Sequence, residues 1–285
     1  MNALARFAGS ALALALSSVV AIPAWAETDL TKLLPQSIRD AGTLRVVASS
    51  SSSPPMIFVG TDARTLEGLE IELTQAVADA LGVKLEFVHG TFDSLIPSIA
   101  ADRADIAVGS IGDLKSRQEH VDFIDYVKAG IGMAVPTGNP KGITDLDSLC
   151  GKTVAVLRGT FQEKELAEQK AKCQSSGSEL DVQTFSDTNA AVMALRSERA
   201  DAWSGDSAPV GYAVSQSSGA LELAGKMRAI ALLGYAVNKE NTELRDAVKA
   251  ALDAVQSSGK YKEIFEKWGQ SDTMVDKITI NDAWL

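Results

Sequence analysis

One helix–turn–strand unit occurs twice in this chain, and that repetition limits the folds open to it. Residues 95–110 read L-I-P-S-I-A-A-D-R-A-D-I-A-V-G-S, and residues 191–206 read A-V-M-A-L-R-S-E-R-A-D-A-W-S-G-D. At an offset of 96, Arg103-Ala104-Asp105 falls on Arg199-Ala200-Asp201 and Gly109 on Gly205. The apolar Ile96 and Ile99 fall on Val192 and Leu195. Each copy predicts a helix, a tight polar turn, a short strand and a glycine-bearing loop. Any helix–turn–strand unit shares part of this pattern, so four identities alone leave chance and repetition level. Repetition implies two lobes of similar construction. In open α/β sheets, ligands bind beyond the carboxyl ends of the strands. Ser110 and Asp206 occupy matching positions there, and a cleft between the lobes would carry both.

The rest of the chain alternates strand and helix signals, which predicts a largely α/β protein. Residues 44–48 form a first strand, followed by the serine run 49–53. Leu73, Ala76, Val77, Ala80 and Leu81 share one helix face, and Gly82 is a suitable stop. Residues 83–88 alternate as a strand. Residues 153–157 predict a strand and 161–172 the helix after it. A strand at 235–238 follows, then helices carrying Leu244, Val248, Leu252 and Val255, and Tyr261, Ile264, Phe265 and Trp268. At 285 residues the chain is long enough for two domains.

The first residues read as an export signal. Arg6 precedes the short apolar stretch 7–22, and Ala24-Trp25-Ala26 is an A-x-A cleavage site. Residues 1–26 are therefore expected to be removed, with a retained anchor as the alternative. Lys and Arg total 27 against 37 Asp and Glu, a net charge of −10. That balance argues against nucleic acid, which requires a basic face, and against electrostatic attachment to anionic lipid. Two His and two Cys are too few for a zinc cluster. In an oxidising compartment, Cys150 before a strand and Cys173 near the end of the next helix are expected to meet as a disulfide. Two buried free thiols are the alternative. Gly151-Lys152-Thr153 lacks the first glycine of a P-loop, since Leu146 stands there, and no G-x-S-x-G, C-x-x-C or H-E-x-x-H occurs.

Several segments carry a resemblance when taken in order. They are Gly68-Leu69-Glu70-Ile71-Glu72-Leu73, Phe92-Asp93-Ser94-Leu95-Ile96-Pro97 with Arg103-Ala104-Asp105, and Arg117-Gln118-Glu119-His120-Val121-Asp122-Phe123. Leu149-Cys150-Gly151-Lys152-Thr153-Val154 with Gly159-Thr160-Phe161-Gln162-Glu163 follows, then Gly259-Lys260-Tyr261 with Lys267-Trp268. Together they resemble family 3 of the bacterial extracellular solute-binding proteins, the amino-acid receptors of ABC importers, over 42–269.

The resemblance implies the type II periplasmic-binding-protein fold, two α/β lobes joined by two hinge strands. Residues 27–133 plus 230–285 would form the first lobe, and 134–229 the inserted second lobe. It implies a monomeric periplasmic receptor without cofactor, metal or catalytic residue. Such a receptor captures an amino acid or close derivative, closes by hinge motion, and is read by an inner-membrane permease. Arg117 would clamp the α-carboxylate, as a planar guanidinium does bidentately, and Asp206 would take the α-ammonium. Ser110 and Gly112 would hold the carboxylate through N–H groups and a hydroxyl, although the family commonly has Thr or Ser where Gly112 stands. Phe92 would pack on the ligand side chain, Leu157 would lend a backbone contact, and Thr160 and Phe161 would present free N–H groups at a helix start. Ser53 stands near the place of an aromatic lid in many relatives, with Trp203 or Tyr212 as substitute covers. Plain structural roles remain open at this point: a surface charge for Arg117, a loop cap for Asp206, core positions for Phe92 and Phe161, a turn for the serines. The alternative function is a secreted enzyme of the same fold, such as a cyclohexadienyl or arogenate dehydratase, with Glu70, Asp113 and Asp206 as candidate acids. A sensor domain is a weaker third.

Overall fold

The structure is a computed structural model, and it describes residues 29–50 and 53–284. The expected export signal, 1–26, lies outside the described residues.

The chain begins with α1 (Gln36–Ala41) and β1 (Thr43–Ser49), then a small hairpin of β2 (Phe58–Val59) and β3 (Leu66–Glu67). Next come α2 (Leu69–Leu81), β4 (Lys84–Gly90), α3 (Leu95–Ala100) and β5 (Ile106–Gly112). In α2 the buried Leu69, Leu73, Val77, Ala78 and Leu81 recur at helical spacing, and Gly82 closes the helix in the left-handed region. The long strand β6 (Val121–Pro136) then crosses into the second lobe. There the chain forms β7 (Thr153–Leu157), α4 (Phe161–Ser175), β8 (Asp181–Phe185), α5 (Thr188–Arg196), β9 (Ala202–Asp206), α6 (Ser207–Ser215) and β10 (Leu221–Leu223). Strand β11 (Arg228–Asn238) crosses back, and α7 (Thr242–Ser257), α8 (Lys260–Lys267) and β12 (Met274–Ile280) complete the fold.

One sheet runs through both lobes in the order β4-β1-β5-β11-β6-β9-β7-β8, with β10 and β12 also on β6. Parallel pairs flank β1 and β7, the inner strand of each lobe. Strand β6 is antiparallel to β11 over its first part and to β9 over its last. The change of partner falls at Ile131, which pairs with Arg228 on β11 and Asp206 on β9. Helices α2, α7 and α8 cover one face of the first lobe, burying Leu73, Val77, Val248, Leu252 and Phe265. Leu95 and Ile99 of α3 cover the other with Phe123. In the second lobe, Leu166 and Cys173 of α4 pack against Val154 and Val156, while Leu195 and Val210 pack around Trp203 on the opposite face. Cys173 is disulfide-bonded to Cys150, with their Cα atoms 5.4 Å apart.

The two copies of the sequence unit adopt one geometry. Asp102 and Glu198 both turn through positive φ, at 52° and 58°. The N–H of Asp105 donates to Arg45 O at 2.9 Å, and that of Asp201 to Thr153 O at 2.7 Å. In return, the Asp105 carboxylate accepts from Arg45 N–H at 2.7 Å, and the Asp201 carboxylate from Thr153 N–H at 2.9 Å. Each Asp therefore fastens the start of its strand to the inner parallel strand. The paired glycines are required by close approach: a Cβ on Gly109 would sit 2.8 Å from Ser49 Cβ, and one on Gly205 2.8 Å from the Trp203 ring.

Candidate functional site

A cavity lies where β6 and β11 cross between the lobes. Its floor is Ala129, Gly130 and Ile131 from β6 and Ala229, Ala231 and Leu233 from β11. The first lobe contributes Phe92, Ser110, Gly112, Leu114 and Arg117, and the second Thr160, Phe161, Gln162 and Asp206. Phe92, Ser110, Gly112, Arg117, Thr160, Phe161 and Asp206 are thus brought together from segments far apart in the chain.

Arg117 follows the turn after β5. One guanidinium nitrogen donates to Gly112 O at 2.9 Å, and the other reaches across to Gly159 O of the second lobe at 3.0 Å. Its Cζ stands 5.5 Å from the centre of the Phe92 ring, a cation–π distance. Burial pulls its pKa down to about 10, opposed by the charges of Asp206 and Asp113. Asp206 ends β9 and accepts from Gln162 Nε2 at 2.6 Å. Burial pushes its pKa up to about 6, opposed by the Gln162 hydrogen bond and by Arg117. A cation and an anion, each held by neutral groups, therefore face one partly dehydrated space from opposite lobes. The arrangement matches a zwitterion whose two charges lie a short distance apart.

Ser110 has φ 55°, a costly region for a residue other than glycine. Its N–H donates to both Glu70 oxygens, at 2.9 and 3.0 Å, and its hydroxyl stands 3.3 Å from Glu70 Oε2. Tyr126 also donates its hydroxyl to Glu70. Burial pushes the Glu70 carboxyl up to about 7 while these hydrogen bonds pull it down. Glu70 sits behind the cavity wall and holds the rim of β5 in place. The Ser110 N–H, which the resemblance directs to a ligand carboxylate, is taken by Glu70 in this geometry.

Helix α4 starts at the cavity. Thr160 caps it: its hydroxyl accepts from Glu163 N–H at 3.2 Å and donates to Leu157 O at 2.7 Å, while Glu163 reaches back to Gly159 N–H at 2.6 Å. The N–H groups of Phe161 and Gln162, in the first turn, have no partner within the helix. Two expected residues are not part of the cavity wall. Leu157 stands behind Thr160, its carbonyl engaged by the Thr160 hydroxyl. Ser53 is buried, with its carbonyl accepting from Met56 N–H. Neither substitute cover is there: Trp203 is core, and Tyr212 lines a separate surface groove beside Trp268. Sequence reasoning passed over Gln162 and the whole floor. Gln162 is in the motif above, but residues 121–136 carry no strand expectation and the expected strand 235–238 begins beyond Ala229, Ala231 and Leu233, whereas β11 starts at Arg228.

The description "Bacterial extracellular solute-binding proteins, family 3" matches residues 45–271. An arginine-binding protein of Corynebacterium glutamicum is 30% identical over 259 residues, covering 90% of this chain and 84% of that one. The solved structure of an ancestral arginine-binding protein bound to arginine aligns with a TM-score of 0.74 and 31% identity, covering 80% of this chain and 98% of that one. An ancestral amino-acid-binding protein, a precursor of cyclohexadienyl dehydratase, aligns with a TM-score of 0.73 and 30% identity, covering 81% and 97%. The fold is the two-lobed type II periplasmic binding fold. By fold, by the order of its motifs and by this match, the chain belongs to the bacterial extracellular solute-binding proteins, family 3.

Proposed function

We propose that this protein captures an amino acid or close derivative in the periplasm and delivers it to the permease of an ABC importer. The observation that carries this reading is the placement of Arg117 and Asp206 on opposite lobes around one cavity. Arg117 takes the α-carboxylate, with the first-turn N–H groups of α4 available to it, and Asp206 takes the α-ammonium. Gly112 stands where a hydroxyl would help, and its N–H is the group that serves. Residues 27–133 plus 230–285 act as one lobe and 134–229 as the other, hinged at β6 and β11. The protein works as a monomer after removal of residues 1–26, and it turns nothing over. Two of the three candidate acids support that last point. Glu70 and Asp113 are buried outside the cavity wall, accepting from Ser110 and Tyr126 and from Gln118. Asp206 then lacks the paired group that general acid–base chemistry needs.

The test is calorimetric titration of the protein with each of the twenty amino acids. At least one is expected to bind saturably and one-to-one. Arogenate or prephenate consumed by the purified protein, with no amino acid bound, would favour the dehydratase instead.

A further inference from the structure

We infer that the site selects an amino acid whose side chain carries no charge, in contrast to the arginine bound by several of its relatives. This rests on the amino-acid reading above. Among the described residues, the cavity wall contains one cationic residue and one anionic residue, Arg117 and Asp206. The α-carboxylate and α-ammonium of any amino acid use both. What the side chain then meets is largely Leu114, Ile131, Phe161, Leu233, Ala129 and Ala231. The carboxylates nearby are committed elsewhere. Glu70 and Asp113 are buried behind the wall, Glu165 is paired with Arg228 at 2.8 Å, and Asp93, which stands against Gly159, is outside the cavity wall and accepts from the Thr91 hydroxyl at 2.5 Å. A guanidinium or ammonium entering this space would leave water without a counter-ion, and an unpaired buried charge is strongly disfavoured. A carboxylate side chain meets the same difficulty beside Asp206. The polar side chains in the wall are neutral, with Gln162 and Thr160 already bonded to Asp206 and Leu157.

The experiment is a titration with L-leucine, L-glutamine, L-arginine, L-lysine and L-glutamate, on the wild-type protein and on Ala229→Asp. Ala229 lines the cavity at φ 41°, a conformation that Asp tolerates better than most residues. In the wild type, leucine or glutamine should bind at least about 100-fold more tightly than arginine, lysine or glutamate. Ala229→Asp should narrow the gap between leucine and arginine by about tenfold, because it supplies the missing counter-charge. Arginine or glutamate binding the wild type as tightly as leucine and glutamine would overturn the inference while leaving the amino-acid reading intact. An unchanged ranking in a folded Ala229→Asp protein would also overturn it. Failure of all five to bind, together with the rest of the twenty, would instead overturn the amino-acid reading.

Discussion

The two lobes share a unit and differ at its end. In both, a helix turns through a left-handed residue, an Asp ties the next strand to its inner neighbour, and a glycine makes room at the rim. At the following position the first lobe has Ser110, turned inward to a buried Glu70, while the second has Asp206, held by Gln162 and facing the cavity. The scaffold repeats and the chemistry does not. The lobes also differ in support. The first is covered by α7 and α8 returning from the end of the chain, whereas the second has a smaller core and the Cys150–Cys173 disulfide.

If the rim positions bind ligand and the Asp tie-points only hold strands, mutations should separate the two kinds of effect. The largest effect belongs to Arg117→Ala. It should weaken amino-acid binding by about 2–5 kcal/mol in calorimetry, the usual cost of truncating one partner of a desolvated charge pair, while the protein stays folded. The disulfide comes next. Replacing both cysteines with serine should cost about 3 kcal/mol in urea unfolding, from a loop with a sequence separation of 23, and the loss should be traceable to the second lobe by hydrogen exchange. Asp105→Ala and Asp201→Ala should each cost about 1–3 kcal/mol of stability, through one unsatisfied strand N–H and lost charged hydrogen bonds. Asp105 should cost more, since it holds the Arg45 guanidinium at 2.6 Å whereas Asp201 stands 3.4 Å from the Lys141 ammonium. If either Asp variant lost binding but not stability, the assignment of a purely structural role would fail.

The smallest effect is the response to pH. Burial raises the carboxyls of Asp206 to about 6 and of Glu70 and Asp125 to about 7, from 3.8, 4.5 and 3.8. A carboxyl whose folded pKa is raised binds its proton more tightly when folded, so ionisation disfavours the folded state. The penalty is absent below the lower set of values and complete above the higher set. The melting temperature of the ligand-free protein should therefore carry a component that falls between about pH 4 and about pH 7. Amino-acid affinity should rise over the same interval as Asp206 ionises. Asp206→Asn should flatten the affinity trend and weaken binding, while the stability trend loses only the Asp206 share and keeps that of Glu70 and Asp125. A binding curve that stays pH-dependent in that variant would place the titrating group elsewhere.

Much of this was legible in the sequence, for particular reasons. The helical spacing of Leu73, Val77 and Leu81 marks α2, because a helix packed on a sheet needs one apolar stripe. The motif around Arg117 and the matched positions of Ser110 and Asp206 bring out polar and charged residues at strand ends, where a solvent-facing rim allows them. Glu70 was quoted within a motif, yet its task was hidden: a carboxylate in the first turn of a helix ordinarily points to water, and only the tertiary fold shows it receiving the Ser110 N–H. The cavity floor was hidden for the opposite reason. Ala129, Ala229 and Ala231 lie outside the strands expected from the sequence, and a ligand-facing alanine differs from a packed one only in what lies opposite. Ser53 carried an expectation borrowed from an aromatic position, and a small, buried serine does not extend to the cavity.

The central claim is that Arg117 reads the carboxylate of a bound amino acid. Comparing L-leucine with L-leucinamide by calorimetry, in the wild type and in Arg117→Ala, tests it most directly. The wild type should prefer leucine by about 30-fold or more, and the variant should bind both weakly and almost equally, because the group that distinguishes acid from amide is gone. A variant that keeps the wild-type preference for leucine would show that another group reads the carboxylate, and would contradict the account.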